Sequence, residues 1–600
     1  MTTVHGPELS VQTCARRLAP VTGGSTEGVE GRISWYGPAR LERARQGGEA
    51  TVQAACGLMH LHGRDLGGPR RLGIEVATVA AGILAGQGIL AALIGRRRGR
   101  SVSAVETSVL QAGLLMTSHY VAAATCAEEW VPAPPSSEPG PPFRTADGHW
   151  FEIETLDPEA WKSFWHRLGA GGADLGRAWT LFRSRYYRGT CTLPPGLHEA
   201  TTRCILAEVG AAAAADAIGF SPVRSYAEVL AEPGPSAGHP WIESYPAAAG
   251  ARPGPAPAPP GSPDQLPLAG LRVVEATSRM QGPLAGLLLQ MLGADVTRVE
   301  PPGGDVGRMV PPLADDTGSF FLCFNRGKRA VELDLKRPGH RAELADLVGG
   351  ADVFLHNWRP GKAAEWGLGA DQLAATNPGL VYAEASGWGR TADAPLVGTD
   401  FLVQAYAGLG HGLNPPDEPP FPTRVLLTDH MGALVTCEGV LAGLYRRELD
   451  GRGCRVETSL LAGAMAVQAH VVEALAAGRE VKRNQGRPLW GALERPVPTN
   501  DGLLAVSADG EAPFARLCRL CGVDPGAVSR PTAEERVAER LATAPAQKWE
   551  EALVEEGIGC WALPEHLDLA GLPDDPRLTG LFEPLAGTSR APTSPWRFAS

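Results

Sequence analysis

Excess positive charge is missing from this sequence: 55 Lys and Arg stand against 66 Asp and Glu, a net charge of −11 with a pI near 5.8. A surface that binds nucleic acid normally carries a clustered basic excess, so no nucleic-acid partner is expected. The one basic knot, Arg96-Arg97-Arg98-Gly99-Arg100, closes an apolar helical run, where cations complement a helix C-terminus. Cysteines paired at metal-ligand spacing are also missing. The eleven cysteines are scattered, and Cys518-Arg519-Leu520-Cys521 is a lone CxxC on an amphipathic stretch. It reads as a buried structural pair rather than a redox or zinc site, so no metal centre is expected. The start, Met1 to Gly6, has no basic-then-apolar signal, and no apolar run is read as reaching membrane length. A cytoplasmic chain without a membrane partner is the expectation.

What is present is a globular composition, 44% hydrophobic and 20% charged, in a 600-residue chain too long for one core. Residues 1–50 are weakly patterned and receive no assignment. From Val52 the text becomes regular, and it returns 351 positions later. Val52-Gln53-Ala54 and Gly57-Leu58 recur as Val403-Gln404-Ala405 and Gly408-Leu409, and Val105-Glu106-Thr107-Ser108 recurs as Val456-Glu457-Thr458-Ser459, without a gap. This is a duplication at domain scale rather than a short solenoid repeat. Each copy carries a helical part, then a smaller α+β part opened by a turn and a strand, at Asp147-Gly148 and at Asp501-Gly502.

Between the copies, residues 246–267 are rich in Pro, Ala and Gly and read as an extended linker. Beyond it, Leu271–Ala276, Asp295–Glu300, Asp352–Leu355 and Leu380–Ala383 read as short apolar strands alternating with helices. That pattern predicts a doubly wound, Rossmann-like parallel sheet with its ligand site at the strands' carboxyl ends. Loops leaving those ends carry Pro301-Pro302-Gly303-Gly304-Asp305, His356-Asn357-Trp358-Arg359 and Ser386-Gly387-Trp388-Gly389, which together suggest a nucleotide-like ligand. No such sheet is read in the first copy.

One stretch carries the candidate chemistry. Asp429, in Leu426-Leu427-Thr428-Asp429-His430, opens a long run of apolar and small residues at helical spacing. Its carboxylate is expected where unpaired backbone N–H groups converge. It is either an ordinary helix cap or a nucleophile at a substrate cleft, and on shape alone the cap is the commoner role.

An ordered set of words resembles a known family: Leu268-Ala269-Gly270-Leu271-Arg272-Val273-Val274-Glu275, Leu292-Gly293-Ala294-Asp295-Val296, Phe324-Asn325-Arg326-Gly327-Lys328, Asn357-Trp358-Arg359-Pro360-Gly361 and Gly398-Thr399-Asp400-Phe401. The chain resembles the class III coenzyme A transferases of the formyl-CoA transferase or CaiB/BaiF type. The resemblance implies a catalytic copy over 268–600, with its nucleotide-binding part at about 268–480 and a small domain at about 490–580. Residues 51–245 resemble the later part of the same family as a partial, non-catalytic copy.

The resemblance further implies that Asp429 is the covalent nucleophile, moving coenzyme A from an acyl-CoA donor to a carboxylic acid acceptor. Coenzyme A is then a substrate and no permanently bound cofactor is expected. Arg298, Asn325, Arg326, Lys328, Asn357, Arg359 and Gly387 lie on matching loops and are the candidates for holding it. Asn484-Gln485-Gly486-Arg487-Pro488 is a candidate lid, and Trp388 and Trp490 mark candidate specificity regions. Counting back 351 from Asp429 reaches Thr78, which cannot be a carboxylate nucleophile.

Two alternatives stay open. An α-methylacyl-CoA racemase-like enzyme needs a histidine where Thr399 stands, with His430 and His411 as substitutes in principle. A non-catalytic acyl-CoA-binding subunit is the other. Because the family forms interlocked dimers, the two copies are expected to pack as an intrachain pseudo-dimer, with a further homodimer open.

Overall fold

A computed structural model describes residues 4–37, 46–127, 140–172, 175–231, 241–244, 265–389, 398–479, 483–564 and 568–600. The expected linker lies outside the described residues as far as residue 264.

The larger sheet grows from short runs of β-branched and small apolar residues. Val353–His356 is buried along its whole length, with Val353 and Leu355 in one hydrophobic core and Phe354 in another. A strand needs no polar face when helices cover both sides of the sheet. Six parallel strands lie in the order Arg329–Glu332, Asp295–Glu300, Arg272–Ala276, Val353–His356, Val381–Ser386 and Cys454–Ser459. The doubly wound α/β expectation holds.

The first copy is more complete than its sequence suggested. The previously unassigned residues form the strand Val4–His5, the helix Glu8–Thr22 and the strand Glu30–Ser34. With Ala104–Ser108 these strands make a parallel three-stranded sheet, which corrects the reading that this copy lacks one. The reason it was illegible is physical: one strand has two residues, and Glu30–Ser34 alternates buried with more exposed positions instead of forming an apolar run.

Each copy sends a strand into the other's sheet. Trp241–Ser244, at the end of the first copy, pairs antiparallel with Cys454–Ser459, and Arg597–Ala599, at the end of the second, pairs antiparallel with Ala104–Ser108. Val105 and Val456, related by the 351-residue offset, lie opposite Phe598 and Ile242 respectively. Between the sheets the helix Val76–Arg97 packs on Leu427–Asp450, where Gln87 Nε2 donates to the Leu434 carbonyl at 2.6 Å. Arg17 Nε donates to Glu438 at 2.8 Å across the same boundary, with both side chains buried.

The helix Val76–Arg97 is long and apolar enough to cross a membrane, contrary to the expectation that no run is. It is apolar all round because neighbours enclose it on every side, and its most apolar stretch is wholly buried.

Two smaller α+β units complete the fold. Phe143–Arg144, Trp150–Glu154 and Gly219–Pro222 form one antiparallel sheet, and Val497–Pro498, Leu503–Ser507 and Gly559–Leu563 form the other. Each packs its helices over a separate core.

Candidate active site

The helix Leu427–Asp450 begins without a side-chain cap from its own N-cap residue, Leu426. A carboxylate from elsewhere closes it. Asp400, at the start of Asp400–Tyr406, accepts the Asp429 backbone N–H at 3.0 Å and the Thr428 hydroxyl at 2.7 Å, and is itself held by Gln404 Nε2 at 2.5 Å. The helix cap is therefore Asp400, and the capping role considered for Asp429 is corrected. One turn further on, Gly463 of Leu460–Ala476 meets the same helix: a Cβ there would lie 2.4 Å from the Gly432 nitrogen. Only glycine permits that close crossing, which packs the helix firmly near its N-terminal end.

Asp429 borders a cavity of about 650 Å³. The Gln281 backbone N–H, at the start of the helix Gln281–Met291, and the Arg279 cation both favour its charged form. Arg279 has φ +67°, a left-handed backbone that an arginine adopts only when its surroundings impose it. Burial, and then the charge of Asp400, raise the Asp429 carboxyl above its ordinary range, while Arg279 and the Gln281 N–H pull it back. The environment thus opposes ionisation of Asp429. Burial likewise raises Asp400, against the hydrogen bonds that it accepts.

The cavity is walled by both copies. Glu154, Leu156, Arg183, Tyr186 and Tyr187 come from the first copy's small unit, although that copy has no aspartate at the corresponding place. Glu154 is buried, its carboxyl is pushed up to about 7 by desolvation against Arg185, and its Oε2 has no hydrogen-bond partner.

Among the seven residues predicted to hold coenzyme A, Arg298 and Asn325 line this cavity. Arg298 is already bound by three carboxylates: Glu275 at 2.8 Å, Glu300 at 3.3 Å, and Asp305. Lys328 is buried, with Nζ 2.8 Å from Glu275, 2.7 Å from the Pro283 carbonyl and 3.0 Å from Asn325. Burial pushes its amine down to about 8 against the pull of Glu275. Arg326 reaches away to Glu583 and the Pro592 carbonyl, both at 2.8 Å, and so ties down the C-terminal segment.

Asn357 accepts from Ser278 N at 3.0 Å and donates to Ser278 O at 2.8 Å, which fixes the loop before Arg279. Arg359 is exposed beside a separate cavity of about 360 Å³ lined by His356, Asp371, Glu384 and Arg455. Gly387 approaches Gly398 so closely that a Cβ would lie 2.5 Å from its Cα, setting the loop that leads to Asp400. The hairpin of Arg483–Asn484 and Arg487–Pro488 is anchored to the Gly73, Gly412 and Asn414 carbonyls, and is not among the residues lining the Asp429 cavity. Neither Trp388 nor Trp490 lines it.

Sequence reasoning missed Arg279, Gln281, Asp400 and the first copy's five wall residues. Asp400 alone had a readable signal: its counterpart 351 positions back is Glu49, also an acid. Glu49 accepts from Thr78 N at 2.8 Å, Thr78 Oγ1 at 2.5 Å and Ala77 N at 2.9 Å. The capping arrangement survives in both copies, and the carboxylate beside it survives in one. His430 is buried, holds the Leu426 carbonyl at 2.8 Å and stacks on His119 at 5.3 Å, and is not among the residues lining the cavity.

A family model described as CoA-transferase family III matches residues 29–256 and again 268–573. The chain belongs to CoA-transferase family III. It is an enzyme of this class, and the two matches agree with the internal duplication. This family III chain is 31% identical over 325 residues to the acetyl-CoA:oxalate CoA-transferase of Acetobacter aceti, covering 51% of the chain and 83% of that protein. It is 32% identical over 268 residues to the succinate–glutarate CoA-transferase of Agrobacterium fabrum, covering 43% and 67%. Against the mouse succinyl-CoA:glutarate CoA-transferase it is 31% identical and spans 59% of that protein's length. A solved CaiB/BaiF family protein from Brucella suis aligns at 26% identity with a TM-score of 0.49, covering 56% of this chain and 94% of its own.

Proposed function

We propose that this chain moves coenzyme A from an acyl-CoA donor to a carboxylic acid through a covalent intermediate on Asp429. The observation that carries this reading is the division of labour between two carboxylates: Asp400 caps the helix, which leaves the Asp429 side chain facing the cavity. In the first step an Asp429 carboxylate oxygen attacks the thioester carbonyl, and the C–S bond breaks to give a mixed anhydride and coenzyme A thiolate. The thiolate attacks the aspartyl carbonyl, releasing the donor's carboxylate and leaving an aspartyl thioester. The acceptor carboxylate then displaces the thiolate, forming a second mixed anhydride. Attack of the thiolate on the new acyl carbonyl yields the product acyl-CoA and frees Asp429. The Gln281 N–H and the Arg279 charge stand where negative charge collects on the Asp429 carboxyl, and both favour it.

Acyl-CoA and carboxylate partners fit the family, and the named relatives are acetyl- and succinyl-CoA transferases. The reciprocal strand exchange supports the intrachain pseudo-dimer, with the first copy as wall and partner rather than second catalyst. A racemase-like reaction is disfavoured by Thr399, which lines the cavity where a base is needed, and by His430, whose ring is engaged with the Leu426 carbonyl and is not among the lining residues. Weighing the intact protein after incubation with acyl-CoA alone tests the proposal. A mass adduct lost in Asp429→Ala supports transfer, and α-proton exchange without an adduct overturns it in favour of the racemase.

A further inference from the structure

Large apolar side chains seldom stay in water in clusters unless something covers them. Among the described residues twelve such side chains are exposed, and four of them line the one cavity that holds Asp429. Val306 is 83% exposed and Met309 73%, the two highest of the twelve, while Leu156 is 51% and Tyr187 42%. Val306 and Met309 occupy a single 3-10 turn that projects from the second copy after the Asp295–Glu300 strand. Leu156 and Tyr187 face the same cavity from the first copy. The rim continues inward. Tyr187 meets Phe320 edge-on at 6.3 Å, and behind it Met280, Phe321, Leu426 and Leu460 form buried apolar wall around Asp429.

We propose that this rim and wall form an acyl subsite that takes an unbranched aliphatic chain of several carbons on the thioester, rather than a short dicarboxylic acyl group. The proposal rests on reading the Asp429 cavity as the acyl-CoA site. A second carboxylate on the substrate would need its own cation. Arg298 is bound by three carboxylates and Arg279 acts on Asp429, so only Arg183, at the exposed edge, is left on the lining. An alkyl chain instead covers surface that is now in water. Both copies contribute to the rim, so the degenerate first copy takes a specificity role without chemistry of its own.

Unreactive S-alkyl-CoA thioethers separate binding from transfer, and isothermal titration of the full-length chain with S-ethyl-, S-butyl- and S-octyl-CoA measures the subsite directly. Affinity is expected to rise about fourfold per methylene, given the transfer free energy of a buried CH₂. In the double variant Val306→Asp/Met309→Asp that slope flattens toward no dependence on length; both side chains are exposed, so the fold tolerates the change. Equal affinity for S-ethyl- and S-octyl-CoA overturns the proposal, as does a slope that the double variant leaves unaltered. Tighter binding of an S-(ω-carboxyalkyl)-CoA than of the S-alkyl-CoA of equal length overturns it in favour of a dicarboxylate. Failure of the covalent reading shows separately, as absence of the Asp429 mass adduct with every acyl-CoA.

Discussion

Asp400 accepts the backbone N–H of Asp429 at 3.0 Å, and 351 positions earlier Glu49 accepts the backbone N–H of Thr78 at 2.8 Å. The same tertiary cap is built twice, and only once does a carboxylate follow it into a cavity. Because the cap and the candidate nucleophile are different residues, they can be altered separately.

Asp429→Asn is expected to abolish the acyl adduct and lower transfer by at least about 10³-fold, since no other group on the cavity lining is held in its place. The helix should persist, because Asp400 still caps it. Mass spectrometry with steady-state kinetics and circular dichroism checks both halves.

The same substitution should raise stability at neutral and alkaline pH. Burial and Asp400 hold the Asp429 carboxyl above its ordinary value in the folded state. The folded chain therefore binds its proton more tightly than the unfolded chain does, and the stability this contributes is complete in acid and lost as pH rises through the folded pKa. Asparagine has no proton to lose, so Tm of the variant relative to the parent should climb as pH rises from about 4, the ordinary aspartate range.

Asp400→Asn should shift the acidic limb of the kcat/KM–pH profile to lower pH, because Asp400 is the second cause of the raised Asp429 carboxyl. Asparagine keeps an oxygen that can accept the Asp429 N–H, so the cap itself should lose little stability. A profile that does not move would place the controlling group elsewhere.

Thr78→Asp should create no second active site. The new carboxylate would meet Glu49, which Thr78 Oγ1 now contacts at 2.5 Å, and burial already raises the Glu49 carboxyl. Two like charges in that space disfavour the fold more as pH rises. Adduct stoichiometry should stay at one per chain while Tm falls.

Arg17→Met should destabilise the joint between the copies by about 3–5 kcal/mol, because it strands the buried Glu438 carboxylate, and Arg17→Met/Glu438→Leu should recover most of that loss. Chemical denaturation of both variants measures the difference.

Much of the fold was readable because its signals are local. Short apolar segments marked four of the six parallel strands of the large sheet, and two copies of the same words at constant spacing announced the duplication. The Glu30–Ser34 strand was not readable, since a short strand of alternating buried and more exposed residues leaves no run to detect. The glycine-bearing loops leave the ends of the strands they were read on, yet Arg298 and Lys328 proved to be bound to Glu275 in a buried ionic cluster. A motif reports which residues a fold requires, and ionic packing requires cations as firmly as a phosphate does.

By itself the sequence determined the α/β class, the internal repeat, the helix that carries Asp429 and the absence of a carboxylate at Thr78, because each depends on residue type and spacing along one segment. Tertiary structure alone decided that Asp400 caps that helix, that Arg279 and Gln281 favour the charged form of Asp429, and that the first copy walls the cavity with Glu154 and Tyr187. Those relationships join residues about 30 to 275 positions apart. Their geometry follows from how sheets and helices pack, and no local pattern in the chain records it.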